Sequence, residues 1–327
     1  GKEFGFEPPR HHGFDTVDAI RAMKDGRAKV FFAMGGNFLS ATPDTEYTAA
    51  ALKNCRLTAH VSIKLNRSHL VTGRTALILP CLGRTEQDMQ GDQEQFITTE
   101  NSMGVVQQSR GSLIPASPHL LSESVIVARL AEKTLQGRTT VPWRELVEDY
   151  DRIRERISRV IPGFEEYNER VRKSGGFYLP NKPREGEFPT PSGKALFSAN
   201  PLHEIKIEPG QLVMMTVRTH DQFNTTVYGL DDRYRGVKNE RRVVLMNSAD
   251  IRAAGLAAGD VVDLKSHFKG EVRIARRFIV VEYEIPTGCC ATYFPETNVL
   301  VPIGSTADGS NTPTSKFVVI TVSQHKK

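Results

Sequence analysis

Residues 31–44 read FFAMGGNFLSATPD. An apolar run from Val30 to Met34 stops at Gly35-Gly36-Asn37, and Thr42-Pro43-Asp44 follows as a helix start. Two glycines in a row let the backbone approach a ligand and turn its N–H groups outward with no Cβ in the way. A buried strand, a bare turn and a helix form one of the standard cradles for a phosphate or a nucleotide. Asn37 adds a side chain that can both donate and accept. The plain alternative is an ordinary strand-to-helix turn.

The pattern extends on both sides. Asp15 caps a helix over residues 15–25, with Asp18 three positions on and Val17, Ile20 and Met23 on one face. Thr42 is expected to cap the helix after the turn, with Pro43 in its first position. Leu57, Ala59, Val61, Ile63 and Leu65 alternate as a strand, and Ala76–Leu79 is another, stopped by Pro80. Helix alternating with strand predicts a parallel α/β sheet. A long polar loop is expected from about Leu82 to Pro118, then helices over 119–136 and from Trp143 to Ile157, with Trp143 as a core anchor. Proline and glycine gather between Gly175 and Pro209, which reads as a linker. From Gln211 the chain turns β-rich and predicts a barrel. The expected division is an α/β portion with a helical extension and linker over 1–200, and a β-barrel domain over 208–327.

Composition narrows the classes. The 327 residues are 39% hydrophobic and 25% charged, as in globular proteins with real cores. No apolar run reaches the about 20 residues of a membrane helix. Forty-three basic residues against 38 acidic ones give +5, but no aromatic ladder accompanies the basic clusters, so no nucleic-acid partner is expected. Cys55, Cys81, Cys289 and Cys290 make neither a disulfide framework nor a C-x-x-C site, and a reducing, cytoplasmic setting is expected. The opening GKEFGFEPPRHHGFD has no initiator methionine and reads as interior sequence.

Six segments in order resemble the C-terminal half of a molybdopterin oxidoreductase of the bis(molybdopterin guanine dinucleotide) family. The similar branch is that of formate dehydrogenase alpha-subunit-like proteins. The segments are FFAMGGNFLSATPD, TALILPCLGRTEQD, ENSMGVVQQSRG, FPTPSGKALF, MMTVRTHDQFNT and PETNVLVPIGSTADGSNTPTSKF. The resemblance implies an α/β domain and a terminal double-psi β-barrel that together hold the guanine dinucleotides of a cofactor carrying Mo or W. It implies cofactor contacts at Gly35, Gly36, Asn37, Lys64, Asn66, Asn101, Thr216, Arg218, Thr219, Gln222, Asn298, Asn311 and Lys316. SIKLNRSHL departs from the family pattern by placing Lys64 and Asn66 where acidic and Thr residues are common.

Chemistry supports several of these positions. Arg218 with Thr216 and Thr219 offers a guanidinium fork and hydroxyls to a pyrophosphate or pterin edge. Lys316 can offset phosphate charge. His69 and His220 are expected to be structural or supporting, and His11-His12 exposed. In the family, the metal ligand and any iron–sulfur cysteines lie upstream of the matching region. No catalytic or metal-ligating residue is therefore expected in this chain, which alone would be inactive. Its expected partners are the N-terminal half of the same polypeptide and a small substrate, formate by default. The alternative is a non-catalytic nucleotide-cofactor-binding or assembly module.

Overall fold

The computed structural model describes residues 1–202, 204–225 and 228–326. Contacts divide the chain into two units, Gly1–His11 with Pro80–His203 and His12–Leu79 with Glu204–Lys327. The segment carrying the Gly-Gly-Asn turn thus groups with the C-terminal strands, not with residues 80–203.

The first part of the larger unit is α/β. Helix α1 (Thr16–Lys24) begins where Asp15 accepts the Asp18 N–H at 2.9 Å. Strand β1 (Val30–Met34) leads through the turn to a short helix α2 (Phe38–Ala41), then α3 (Thr45–Asn54), β2 (Leu57–Ser62) and β3 (Thr75–Pro80). The sheet order is β1-β2-β3, and β1 runs parallel to β2 with Val30 opposite Leu57 and Met34 opposite Val61. Val17, Ile20 and Met23 pack with Leu39, Ala51 and Leu52, the apolar faces that the helical spacing assigns. One boundary differs from expectation. Thr42 ends α2, its hydroxyl donating to the Phe38 carbonyl, and Asp44 opens α3 from a left-handed conformation at φ 49°. The reason is tertiary, because the Asp44 carboxylate is held by Arg273 and the Ile303 N–H.

Residues 80–203 carry β4 (Asp88–Gln90), β5 (Gln93–Gln95), β6 (Ile97–Glu100) and β7 (Val105–Ser109) where a loop is expected. These form two antiparallel hairpins, rich in Gln and Glu, that lack an apolar alternation to announce them. Then come α4 (Glu123–Thr134), α5 (Trp143–Glu148), α6 (Tyr150–Val160), α7 (Tyr167–Arg172) and β8 (Phe177–Tyr178). The single helix expected after Trp143 is broken at Asp149, whose carboxylate caps α6 through the Asp151 N–H.

The C-terminal strands are β9 (Gln211–Val217), β10 (Val243–Met246), β11 (Val261–Phe268), β12 (Glu271–Glu282), β13 (Cys289–Tyr293) and β14 (Val318–Gln324), with α8 (Ser248–Ala253) after β10. They close into a six-stranded barrel, β10-β12-β11-β14-β9-β13. The β9–β13 and β10–β12 pairs are parallel and the others antiparallel. Met214, Met246, Leu264, Phe278, Cys290 and Ile320 fill the core, each essentially sealed from water. No helix among the described residues is long and apolar enough to cross a membrane.

Candidate functional site

The turn after β1 is built as sequence reading expects, and it is braced from behind. Gly35 and Gly36 both have positive φ, 65° and 70°. The Gly35 N–H donates to the Val61 carbonyl at 2.8 Å. A Cβ on Gly36 would meet nothing within 4 Å, so its backbone angle, not crowding, calls for glycine there. The brace is a 3-10 turn, Arg67–Leu70, capped by Asn66. Asn66 Oδ1 accepts the Ser68 N–H at 3.0 Å, and Asn66 Nδ2 donates to the Gly36 carbonyl at 2.8 Å. The Ser68 hydroxyl donates to Asn37 Oδ1 at 3.2 Å and accepts the Leu39 N–H at 3.0 Å.

Under this brace lies a histidine pair. His69 Nδ1 accepts the Asn66 N–H at 2.9 Å, so in the neutral ring Nε2 carries the proton and donates to Ser62 Oγ at 3.0 Å. The His60 ring lies 4.9 Å from that of His69 and its Nε2 is buried without a partner. Burial first, and then the neighbouring His69, push the His60 pKa below the ordinary value. The unfolded chain therefore binds a proton at His60 more readily than the folded one, and stability falls as pH drops below the ordinary histidine value of about 6.5. Melting curves from pH 8 to pH 5 are expected to show this loss, and His60→Leu to reduce it. An unchanged slope in the variant would remove His60 as the cause.

The second cluster sits at the end of β9. Thr216 and Thr219 are buried. Gln222 is consumed internally: Oε1 accepts from the Thr219 N–H and Arg241, and Nε2 donates to the Asn224 and Phe294 carbonyls. Arg218 donates to Asn224 Oδ1 at 3.1 Å, with its guanidinium 5.5 Å from the Phe294 ring centre. The Lys316 ammonium bonds the Thr216 carbonyl. Partial burial, then the charge of Arg218, holds Lys316 below the usual lysine range. Among the described residues no carboxylate pairs with Arg218 or Lys316. Two like charges gathered without a counter-ion suit an anionic ligand.

The remaining expected contacts serve structure in part or whole. Asn298 is 3% exposed and ties the barrel to the α/β segment: Nδ2 donates to the Ser40 carbonyl at 2.7 Å, and its own carbonyl accepts the Asp44 N–H at 2.9 Å. Asn311, at φ 52°, donates to Asp15 Oδ2 at 2.9 Å, beside the α1 cap. Asn101 belongs to the other unit, where its Oδ1 accepts the Met103 and Val105 N–H groups in the β6–β7 turn. Lys64 is exposed. His11 and His12 are exposed, and His220 stacks on Tyr234 at 3.9 Å between ring centres. Among the described residues no group of three or more His, Cys, Asp or Glu side chains is placed to hold a metal ion. The structure thus gathers Gly35, Gly36, Asn37 and Asn66 in one cluster and Thr216, Arg218, Thr219, Gln222 and Lys316 in another. Sequence reading overlooked Ser68, Asn224 and Phe294. Only Asn224, six residues after Arg218 in a polar loop, carried a local signal.

Residues 212–319 match the family described as Molydopterin dinucleotide binding domain. The chain is 54% identical over 325 residues to an uncharacterized oxidoreductase of Mycobacterium tuberculosis, covering 98% of this chain and 42% of the relative. It is 42% identical over 328 residues to Protein YdeP of Escherichia coli, covering 98% of this chain and 43% of the relative. The chain thus spans less than half the length of these relatives. Among solved structures, acetylene hydratase from Pelobacter acetylenicus shares the fold, with a TM-score of 0.63 and 15% identity over 95% of this chain and 46% of that one.

Proposed function

From the match of residues 212–319 to the molydopterin dinucleotide binding domain, we propose that the chain is the dinucleotide-holding part of a molybdenum or tungsten oxidoreductase. The barrel is read as a double-psi barrel, and the cofactor as bis(molybdopterin guanine dinucleotide). The structural observation that supports the reading is that Lys316 bonds the Thr216 carbonyl two residues before Arg218 at the end of β9, and that neither cation has a carboxylate partner among the described residues. Those residues fit a pyrophosphate-bearing group, and so does a glycine turn with open space over Gly36. When bound, the cofactor supplies two-electron redox chemistry at its metal. Arg218 and Lys316 offset its charge, and Asn37 orients the nucleotide end. The metal ligand and any iron–sulfur cluster are assigned to the upstream part of a longer polypeptide, in a reducing, cytoplasmic setting. Formate is the first substrate to assay.

The test is elemental and pterin analysis of the full-length polypeptide beside the 327-residue chain. Full-length protein is expected to carry Mo or W with a matching amount of pterin, and the chain alone to carry no stoichiometric metal. Full-length protein free of both metal and pterin would sink the reading and favour a non-catalytic assembly module. Metal in the chain alone would contradict the assignment of the ligand upstream.

A further inference from the structure

We propose that Ser68 fixes the Asn37 carboxamide with its oxygen turned inward, so that Asn37 meets the nucleotide only as a hydrogen-bond donor. This rests on the dinucleotide reading above. In isolation an Asn side chain recognises donors and acceptors alike. Here the acceptors of Gly36 and Asn37 are already consumed. The Gly36 carbonyl takes Asn66 Nδ2, and the Asn37 carbonyl takes the Ser40 and Ala41 N–H groups. Asn37 Oδ1 takes the Ser68 hydroxyl, whose oxygen is in turn occupied by the Leu39 N–H.

What remains points one way. The N–H groups of Gly36 and Asn37 and the Nδ2 of Asn37 have no protein partner among the described residues, and Asn37 is 8% exposed. The unpaired groups of Gly36 and Asn37 are therefore donors. They match an acceptor atom of the nucleotide, either on the base edge or on a phosphate. Ser68 is a positioning residue, itself 1% exposed and held by the Asn66 cap and the Asn66–His69–Ser62 chain of hydrogen bonds. Asn66, one of the two departures from the family pattern, is the residue that clamps the turn.

Asn37→Asp separates donor from acceptor with almost no change of shape. The carboxylate still accepts from Ser68 but offers the ligand only a charged acceptor. The readout is GMP released by acid hydrolysis per full-length polypeptide, with the melting temperature measured in parallel. Asn37→Asp is expected to lower GMP content by at least about tenfold with the melting temperature of the cofactor-free protein nearly unchanged. Asn37→Ala, which loses the donor without adding repulsion, falls less. Ser68→Ala frees the carboxamide to turn over and is expected to cost about threefold, with Ser68→Thr restoring content.

Guanosine and pyrophosphate, titrated separately into cofactor-free full-length protein, locate the acceptor. Asn37→Asp weakens guanosine if the acceptor is on the base, and pyrophosphate if it is on a phosphate. An Asn37→Asp protein that keeps wild-type GMP content, or weakens neither probe, overturns the proposal. A Ser68→Ala protein with unchanged content removes Ser68 from it. Wild-type protein that releases no GMP fails differently, since it overturns the dinucleotide reading and this one with it.

Discussion

Arg218→Ala in the full-length polypeptide is expected to lower retained pterin dinucleotide by about ten- to a hundredfold, because losing a charge-assisted hydrogen bond costs about 1.5–3 kcal/mol. The expectation rests on what Arg218 does in the folded chain. It touches Asn224 and lies over Phe294, and it has no acidic partner among the described residues. Removing it therefore breaks no ion pair within the protein, and the melting temperature of the cofactor-free protein should hold. Arg218→Lys is expected to rescue only in part, since an ammonium cannot reproduce the planar fork. Removing Arg218 also relieves the repulsion on Lys316, whose pKa is then expected to rise toward the ordinary lysine value. Pterin and metal content after gel filtration measures the first effect. Wild-type content in a folded Arg218→Ala protein would mean that the exposed Arg218 does not hold the cofactor and would move the site away from the end of β9.

The features legible in the sequence were those carried by neighbours in the chain. Asp15 and Asp18 announced α1, and Val30–Met34 with two glycines announced the strand and its turn. Apolar, strand-like runs from Gln211 onward announced a β-rich C-terminal part. What could not be read depends on partners far away. Closure of the barrel needs the parallel pairing of Cys289–Tyr293 with Val213–Val217, which no local pattern encodes. The hairpins over Asp88–Gln95 and Ile97–Ser109 are built on Gln, Glu and Thr, which give no alternation to detect. The start of α3 moved from Thr42 to Asp44 because Arg273, 229 positions away, holds that carboxylate. At the site, Gly35, Gly36 and Asn37 were visible as a turn. The orientation of Asn37 was not, because Ser68 sets it from 31 positions away.

That same Asp44 is where the largest loss of stability is expected. Its carboxylate lies 2.7 Å from Arg273 Nη2 and 2.9 Å from Nε, and it accepts the Ile303 N–H at 3.2 Å. The two side chains are 6% and 15% exposed, so screening by water is slight. Arg273 Nη1 is already buried without a partner. Asp44→Ala would leave a buried guanidinium with only Glu271, which is itself mostly exposed, to balance it. Breaking one side of a buried pair typically costs about 3–5 kcal/mol. Alanine also tolerates the left-handed backbone at φ 49° less well than aspartate. Asp44→Ala with Arg273→Met is expected to cost less than Asp44→Ala alone, because no uncompensated charge remains. Denaturant unfolding of the full-length protein reads both, with the midpoint reporting stability while the slope stays constant. A single variant within about 1 kcal/mol of wild type would mean that the pair is no more than a surface-type contact. The two largest predictions then separate cleanly. Arg218→Ala empties the cofactor site and leaves the midpoint of the cofactor-free protein unchanged, whereas Asp44→Ala shifts that midpoint and loses cofactor only because the α/β turn and the barrel no longer hold each other through Ile303.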